Sequence, residues 1–158
     1  MTTTTAPVSP LPLVATGLFR RVWADSADVL ALRGLSLTVQ RGETVVVSAR
    51  RRSSGAALLA CLAGLEEPDR GVVLVNGEQL TGRPPRARAR FRNLYLGVAG
   101  PRWNLLGHLT VAEWVAARDR LDELGVGHRA HAYPATRSPD ETIRASLAVT
   151  LVARPVAR

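Results

Sequence analysis

The spacing of apolar and polar residues changes along this chain, and each change predicts an element. Residues 18–23 read as an extended segment. In the stretch that follows, Leu35, Leu37 and Val39 alternate with Ser36, Thr38 and Gln40, the period-two pattern of a half-buried antiparallel strand. Arg41-Gly42 supplies a turn into Val45-Val46-Val47, a β-branched run that predicts a parallel strand covered on both faces. Residues 56–65 are an apolar run of good helix formers, with Ser53 and Ser54 placed to cap it. Strand, small-residue loop and helix in that order is the architecture of a phosphate-binding loop.

Beyond residue 65 the pattern shortens. Residues 65–71 form a charged turn, residues 72–75 a short strand, and Asn76-Gly77 is a hairpin turn signal. Pro84 and Pro85 open an Arg-rich helix to Arg92. Its alternation of Arg and Ala builds no apolar stripe, which predicts a solvated face. Residues 94–99 read as another strand. Thr110 and Glu113 have the spacing of a capping box. A second capping box is Ser138-Pro139-Asp140-Glu141, with proline at the first helical position, and it opens a last helix over 142–153.

Composition changes the picture only slightly. The chain has 158 residues, a length that suits one domain or part of one, and a net charge of +8. All of its basic residues are arginine; it contains no lysine. Richness in Arg, Ala, Gly and Pro is what GC-rich codons produce, so no specific nucleic-acid partner is expected from the charge. Cys61 is alone, which excludes an intramolecular disulfide and predicts a small core residue. His128 and His131 stand three apart without a companion Cys or carboxylate cluster, so no zinc site is expected. No apolar run is long enough to span a bilayer. Residues 1–14 are expected to be a disordered Thr/Pro-rich leader without the basic start of a secretory signal, which makes the cytoplasm the expected compartment.

The segment 42–65 resembles the start of the nucleotide-binding subunit of ATP-binding-cassette (ABC) transporters, where a strand precedes G-x-x-x-x-G-K-[ST]. That motif falls on residues 49–56. Ala49 and Ser54 take the glycine positions, Gly55 the lysine position, and Ala56 the position of the magnesium-ligating hydroxyl; Arg50, Arg51, Arg52 and Ser53 lie between. Residues 103–114 resemble the family's N-L-L-P-H-L-T-V-x-E-N, with macrolide and lipoprotein-release exporters most similar, and His108 belongs to that scaffold. Pro101 takes the place of the family's glutamine. Residues 137–141 lie on the family's L-S-G-G-Q, of which only Ser138 matches, and Asp140 and Glu141 put negative charge where the family docks a γ-phosphate. Arg154-Pro155 matches the A-R-P before the strand of the metal-binding Asp and catalytic Glu.

The resemblance implies an α/β fold: a P-loop NTPase-like ABC core with an antiparallel β subdomain and a shortened helical subdomain. It is expected over residues 15–158 and expected to lack the Walker B strand and later strands. The family's cofactors are ATP and Mg, for which weak or no binding is expected here. Trp23 falls on the aromatic that stacks on adenine; with Arg50, Arg51, Arg52, Ser53, Ser54 and Gly55 it makes up the positional candidates for a nucleotide site. No catalytic residue and no metal ligand is expected. The implied role is non-catalytic docking on a transporter membrane subunit or on an intact partner cassette, with membrane association only through that partner. The alternatives are a residual nucleotide or polyanion binder gripping phosphate with Arg50, Arg51 and Arg52, and a decaying gene product with no selected role.

Overall fold

In the computed structural model, residues 12–24, 26–100, 110–114, 118–133 and 138–152 are described. In chain order the elements are β1 (Leu13–Ala24), β2 (Ala27–Val39), α1 (Arg52–Leu62), β3 (Arg70–Val75), β4 (Glu78–Gln79), α2 (Pro85–Tyr95), α3 (Val111–Trp114), α4 (Arg118–Glu123), a 3-10 turn at Gly127–Arg129, and α5 (Pro139–Val152). They fall into two compact units, Met1–Phe91 and Arg92–Arg158.

The first unit is built on an antiparallel sheet in the order β2-β1-β3-β4. The alternation read at Leu35, Leu37 and Val39 holds: these residues are half-buried, and Ser36, Thr38 and Gln40 between them are exposed. In register, Leu35 lies opposite Leu18, Leu37 opposite Ala15 and Val39 opposite Leu13. Asn76 and Gly77 both take positive φ (50° and 80°) in the two-residue connection from β3 to β4, the geometry of a type I′ turn. Helix α1 packs on β1 and β2 and buries Ala57, Leu58, Ala60, Cys61 and Leu62. Together with Ala15, Leu18, Leu32, Val73 and Val75 these form the core of this unit. Burial pushes the Cys61 thiol up to about 11, the behaviour of an inert core cysteine.

The turn after α1 is tied to the sheet by charge. Arg20 reaches Glu66 at 2.9 Å and Asp69 at 3.1 Å. Asp69 also accepts from the Arg21 backbone N–H at 2.7 Å, which with Arg20 holds its carboxyl below the usual range. The Asp69 N–H in turn donates to the Phe19 carbonyl at 2.8 Å.

The second unit is helical. Leu121, Val126 and Ala130 bury themselves against Ala145 and Ala148 of α5. Ser146, fully buried, accepts from the Gly100 N–H at 3.0 Å, and the Thr150 hydroxyl donates to the Val98 carbonyl at 3.1 Å. Residues 96–100 are therefore strapped to α5 by its small polar side chains. The Thr110–Glu113 capping box forms as expected, with the Thr110 N–H on Glu113 Oε2 at 2.7 Å.

Several expectations need correction. Val45, Val46 and Val47 form no strand and are 37%, 89% and 43% exposed. A central parallel strand takes its bonds from neighbours on both sides, and no described strand pairs with this run, so propensity alone does not make it a strand. Residues 94–99 are not a strand either: α2 continues to Tyr95, and its last turn bonds on to Leu96 through the Arg92 carbonyl. Ser53 and Ser54 do not cap α1, because the helix starts at Arg52 with Arg51 as its N-cap and no side-chain cap bond. Of the leader expected over 1–14, residues 1–11 lie outside the described residues, and Leu13 and Val14 already belong to β1. The matches at Pro101, residues 103–108, Arg137 and 154–155 also lie outside them. Among the described residues no helix is long and apolar enough to cross a membrane.

Gly71 sets the closest approach within the sheet. Its φ is +99°, and a Cβ there would stand 2.5 Å from the Gly17 carbonyl oxygen and 2.6 Å from that of Thr16. Gly71→Ala is expected to cost roughly 2 kcal/mol or more, read as a lower urea midpoint at an unchanged slope.

Candidate functional site

Two helix N-termini carry the residues singled out from the sequence. At α1, Arg50, Arg51 and Ser54 line a cleft of about 280 Å³ whose other wall is Val29, Leu30, Ala31 and Arg33 of β2. Three arginines and a serine are therefore among its described lining residues, and no acidic residue is. The first turn of α1 contains no acidic residue. Arg52, Ser53 and Gly55 sit in that turn without lining the cleft. Trp23 lies near the end of β1 opposite Asp28, 77% exposed, and is not among the lining residues. So the structure brings Arg50, Arg51 and Ser54 together, and it adds Arg33. Nothing in the sequence marked Arg33, which belongs to a different element, β2, from the motif at 49–56.

The N-terminus of α5 is arranged differently. Ser138 and Glu141 form a reciprocal capping box: the Ser138 N–H donates to Glu141 Oε2 at 3.0 Å, and the Glu141 N–H donates to Ser138 Oγ at 3.2 Å. Arg129 Nε donates to Glu141 Oε1 at 2.9 Å, and His128 Nε2 lies 3.6 Å from the same oxygen. Arg129, with the Ser138 N–H, lowers the Glu141 carboxyl to about 2. Asp140 is paired with Arg144 one turn on, at 2.9 Å. This helix start is neutralised from within its own unit.

Comparison with known proteins places the chain. No family model matches it. Over 141 residues it is 34% identical to the methionine import ATP-binding protein MetN of Rhizobium johnstonii, spanning 79% of this chain and 39% of that protein. Over 144 residues it is 34% identical to the lipoprotein-releasing system ATP-binding protein LolD of Pseudomonas fluorescens, spanning 81% of this chain and 63% of that one. The chain is homologous to ABC transporter ATP-binding proteins.

The fold agrees. The chain superposes on a dimeric bacterial ABC transporter cassette with a TM-score of 0.77 at 18% identity, over 90% of this chain and 70% of that one. A dimeric cassette in a post-hydrolysis state bound to ADP and Pi gives 0.76 over the same shares. The expected ABC-type α/β class therefore holds, although the valine strand within it does not form. The chain spans about two fifths of the length of the methionine-import relatives it matches.

Within the ABC frame, residues 49–56 are a poor fit to a magnesium nucleotide. A phosphate nest needs a backbone position in the left-handed region, and no residue from 49 to 56 has a positive φ, Gly55 included. Position 56 offers a methyl group in place of a hydroxyl ligand, and the sequence contains no lysine. What remains is guanidinium chemistry, which grips oxyanions through paired N–H donors without a metal.

The Glu141 cluster predicts a pH dependence with a definite sign. Its folded carboxyl is lowered from 4.5 to about 2, so the stabilisation is present above the unfolded value and is lost as pH falls from about 4.5 toward 2. Wild-type chain is expected to unfold at a higher urea midpoint than Glu141→Gln at pH 7, with the gap closing across that window.

Proposed function

We propose that this chain is an ABC-type cassette subunit that does not hydrolyse ATP. It acts by docking on a transporter membrane subunit or on an intact partner cassette, at the cytoplasmic face of the membrane. The observation that carries this reading is the segment 49–56: the helix of a phosphate loop is present at Arg52–Leu62, without a positive-φ nest, a lysine or a metal-binding hydroxyl before it. The N-terminus of α5 supports it, since the position where the family meets a γ-phosphate carries Glu141 bonded to Arg129 and Ser138. Hydrolysis in such a site depends on charge neutralisation at the transferring phosphoryl group. Neither half of the site offers it in the family's form.

A second reading is favoured by the cleft itself. Arg33, Arg50 and Arg51 all line it, with no acidic residue among the described lining residues. That set would hold a nucleotide's phosphates or another polyanion without magnesium and without turnover.

Purified chain titrated with Mg-ATP by calorimetry, beside a phosphate-release assay, tests both readings. No phosphate release above the buffer rate is expected. Turnover abolished by EDTA would overturn the non-hydrolysing reading. If the cleft binds polyanions, ATP affinity should fall steeply with salt and disappear in the Arg50→Ala, Arg51→Ala, Arg52→Ala triple variant. Equal heats from wild type and the triple variant would sink that second reading.

A further inference from the structure

Ser146 and Thr150 stand one helical turn apart on α5, and each meets the backbone just before residue 101. The Ser146 hydroxyl accepts from the Gly100 N–H at 3.0 Å, and the Thr150 hydroxyl donates to the Val98 carbonyl at 3.1 Å. Four residues of α-helix rise about 6 Å, close to the roughly 6.6 Å that two extended residues span. Hydroxyls at i and i+4 are therefore matched to an N–H and a carbonyl two residues apart. The contact is inward: Ser146 and Gly100 are buried, and Thr150 and Val98 are half-buried.

The Thr150 hydroxyl also has a second acceptor. It lies 3.0 Å from the Ser146 carbonyl of its own helix as well as 3.1 Å from the carbonyl of Val98, and it carries one proton for the two. Back-bonding of this kind is ordinary for a helical threonine, so letting go of Val98 leaves that proton an acceptor. A methyl group shapes the same contact. A Cβ built on Gly97 would overlap Thr150 Cγ2, and beyond its chain neighbours no other described residue comes within 4 Å of it. Gly97 has no positive φ, so among the described residues the threonine is what bars a side chain there. Oγ1 and Cγ2 share one χ1 angle, so Thr150 cannot turn its methyl away from residue 97 and keep its hydroxyl on Val98.

We propose that Gly97, Ser146 and Thr150 form a two-state clip between α5 and residues 97–100. Closed, the Thr150 proton lies on the Val98 carbonyl and the Gly100 N–H on Ser146. Open, that proton lies on the Ser146 carbonyl, and residues 97–100 leave the helix without disturbing it. Ser146 and Thr150 are thus positioning residues for the backbone that leads into Pro101. The clip lies within one compact unit and calls on neither nucleotide nor transporter, so it does not rest on the function proposed above.

Amide hydrogen exchange of the purified full chain, followed by NMR at the Gly100 N–H, tests it. The buried Ala145 and Ala148 amides of α5 serve as the reference, and circular dichroism confirms that each variant is folded. In wild type the Gly100 N–H is expected to be protected, yet to exchange faster than the two alanines, the mark of a local opening. Ser146→Ala removes its acceptor and should speed exchange by roughly tenfold or more, with Ala145 and Ala148 unmoved. Gly97→Ala should also speed it, by forcing Thr150 off Val98. Adding Thr150→Ser, which deletes the methyl and keeps the hydroxyl, should restore most of the protection. Wild-type exchange at the unprotected rate, or as slow as that of the alanines, would overturn the proposal. So would exchange indifferent to Ser146→Ala, or a Gly97→Ala, Thr150→Ser chain no better protected than Gly97→Ala alone.

Discussion

The first unit depends on a single irregularity in β1. This strand has neighbours on both sides; between Thr16 and Phe19 it carries one more residue than β3, and between Ala15 and Leu18 one more than β2, which β2 makes up by Phe19. Gly17 absorbs the excess at φ +59°, and its N–H turns to Ser36 Oγ at 2.9 Å. Gly71 of β3 comes close enough to the Thr16 and Gly17 carbonyls that no side chain fits between them. A bulge of this kind bends a strand and raises its twist. Just past it, Arg20 and the backbone of Phe19 and Arg21 anchor Glu66 and Asp69. The return from α1 is fixed to the middle of the sheet in this way, and with it the place where α1 begins.

The start of α1 matters because its charge is unbalanced. A helix N-terminus carries partial positive charge and favours nearby anions. At α5 the sequence supplies them: Asp140 and Glu141 occupy the first turn, and Ser138 closes the cap. At α1 it supplies Arg50, Arg51 and Arg52, with no acid in the first turn and no side-chain cap. Cations beside a helix N-terminus are unfavourable by about 0.3–1 kcal/mol each at an exposed site, and salt screens the effect. One helix start has lost its need for an external anion, and the other has gained one. That asymmetry is what favours the cleft between β2 and residues 50–54 over the α5 terminus in the polyanion reading proposed above.

Much of this was legible in the residues. The alternation at 35–39, the Asn76-Gly77 turn, the prolines opening α2 and both capping boxes rest on local chemistry, and each forms where the sequence places it. The errors fall where local chemistry is silent. Whether 94–99 continues a helix or starts a strand depends on α5, whose Ser146 and Thr150 hold Gly100 and Val98. The cleft was legible only in half, since Arg50, Arg51 and Ser54 lie in one motif and Arg33 reaches them through strand pairing. Trp23, the adenine candidate, lies opposite Asp28 and is not among the described residues that line the cleft.

The valine run is the sharpest case of a sequence signal without its structural counterpart. β-propensity measures how well a side chain fits a pleated, half-buried surface, so it is realised only when that surface exists. Val72, Val73 and Val75 have one, because β1 lies alongside. Val45, Val46 and Val47 have the same chemistry, and no described strand beside them.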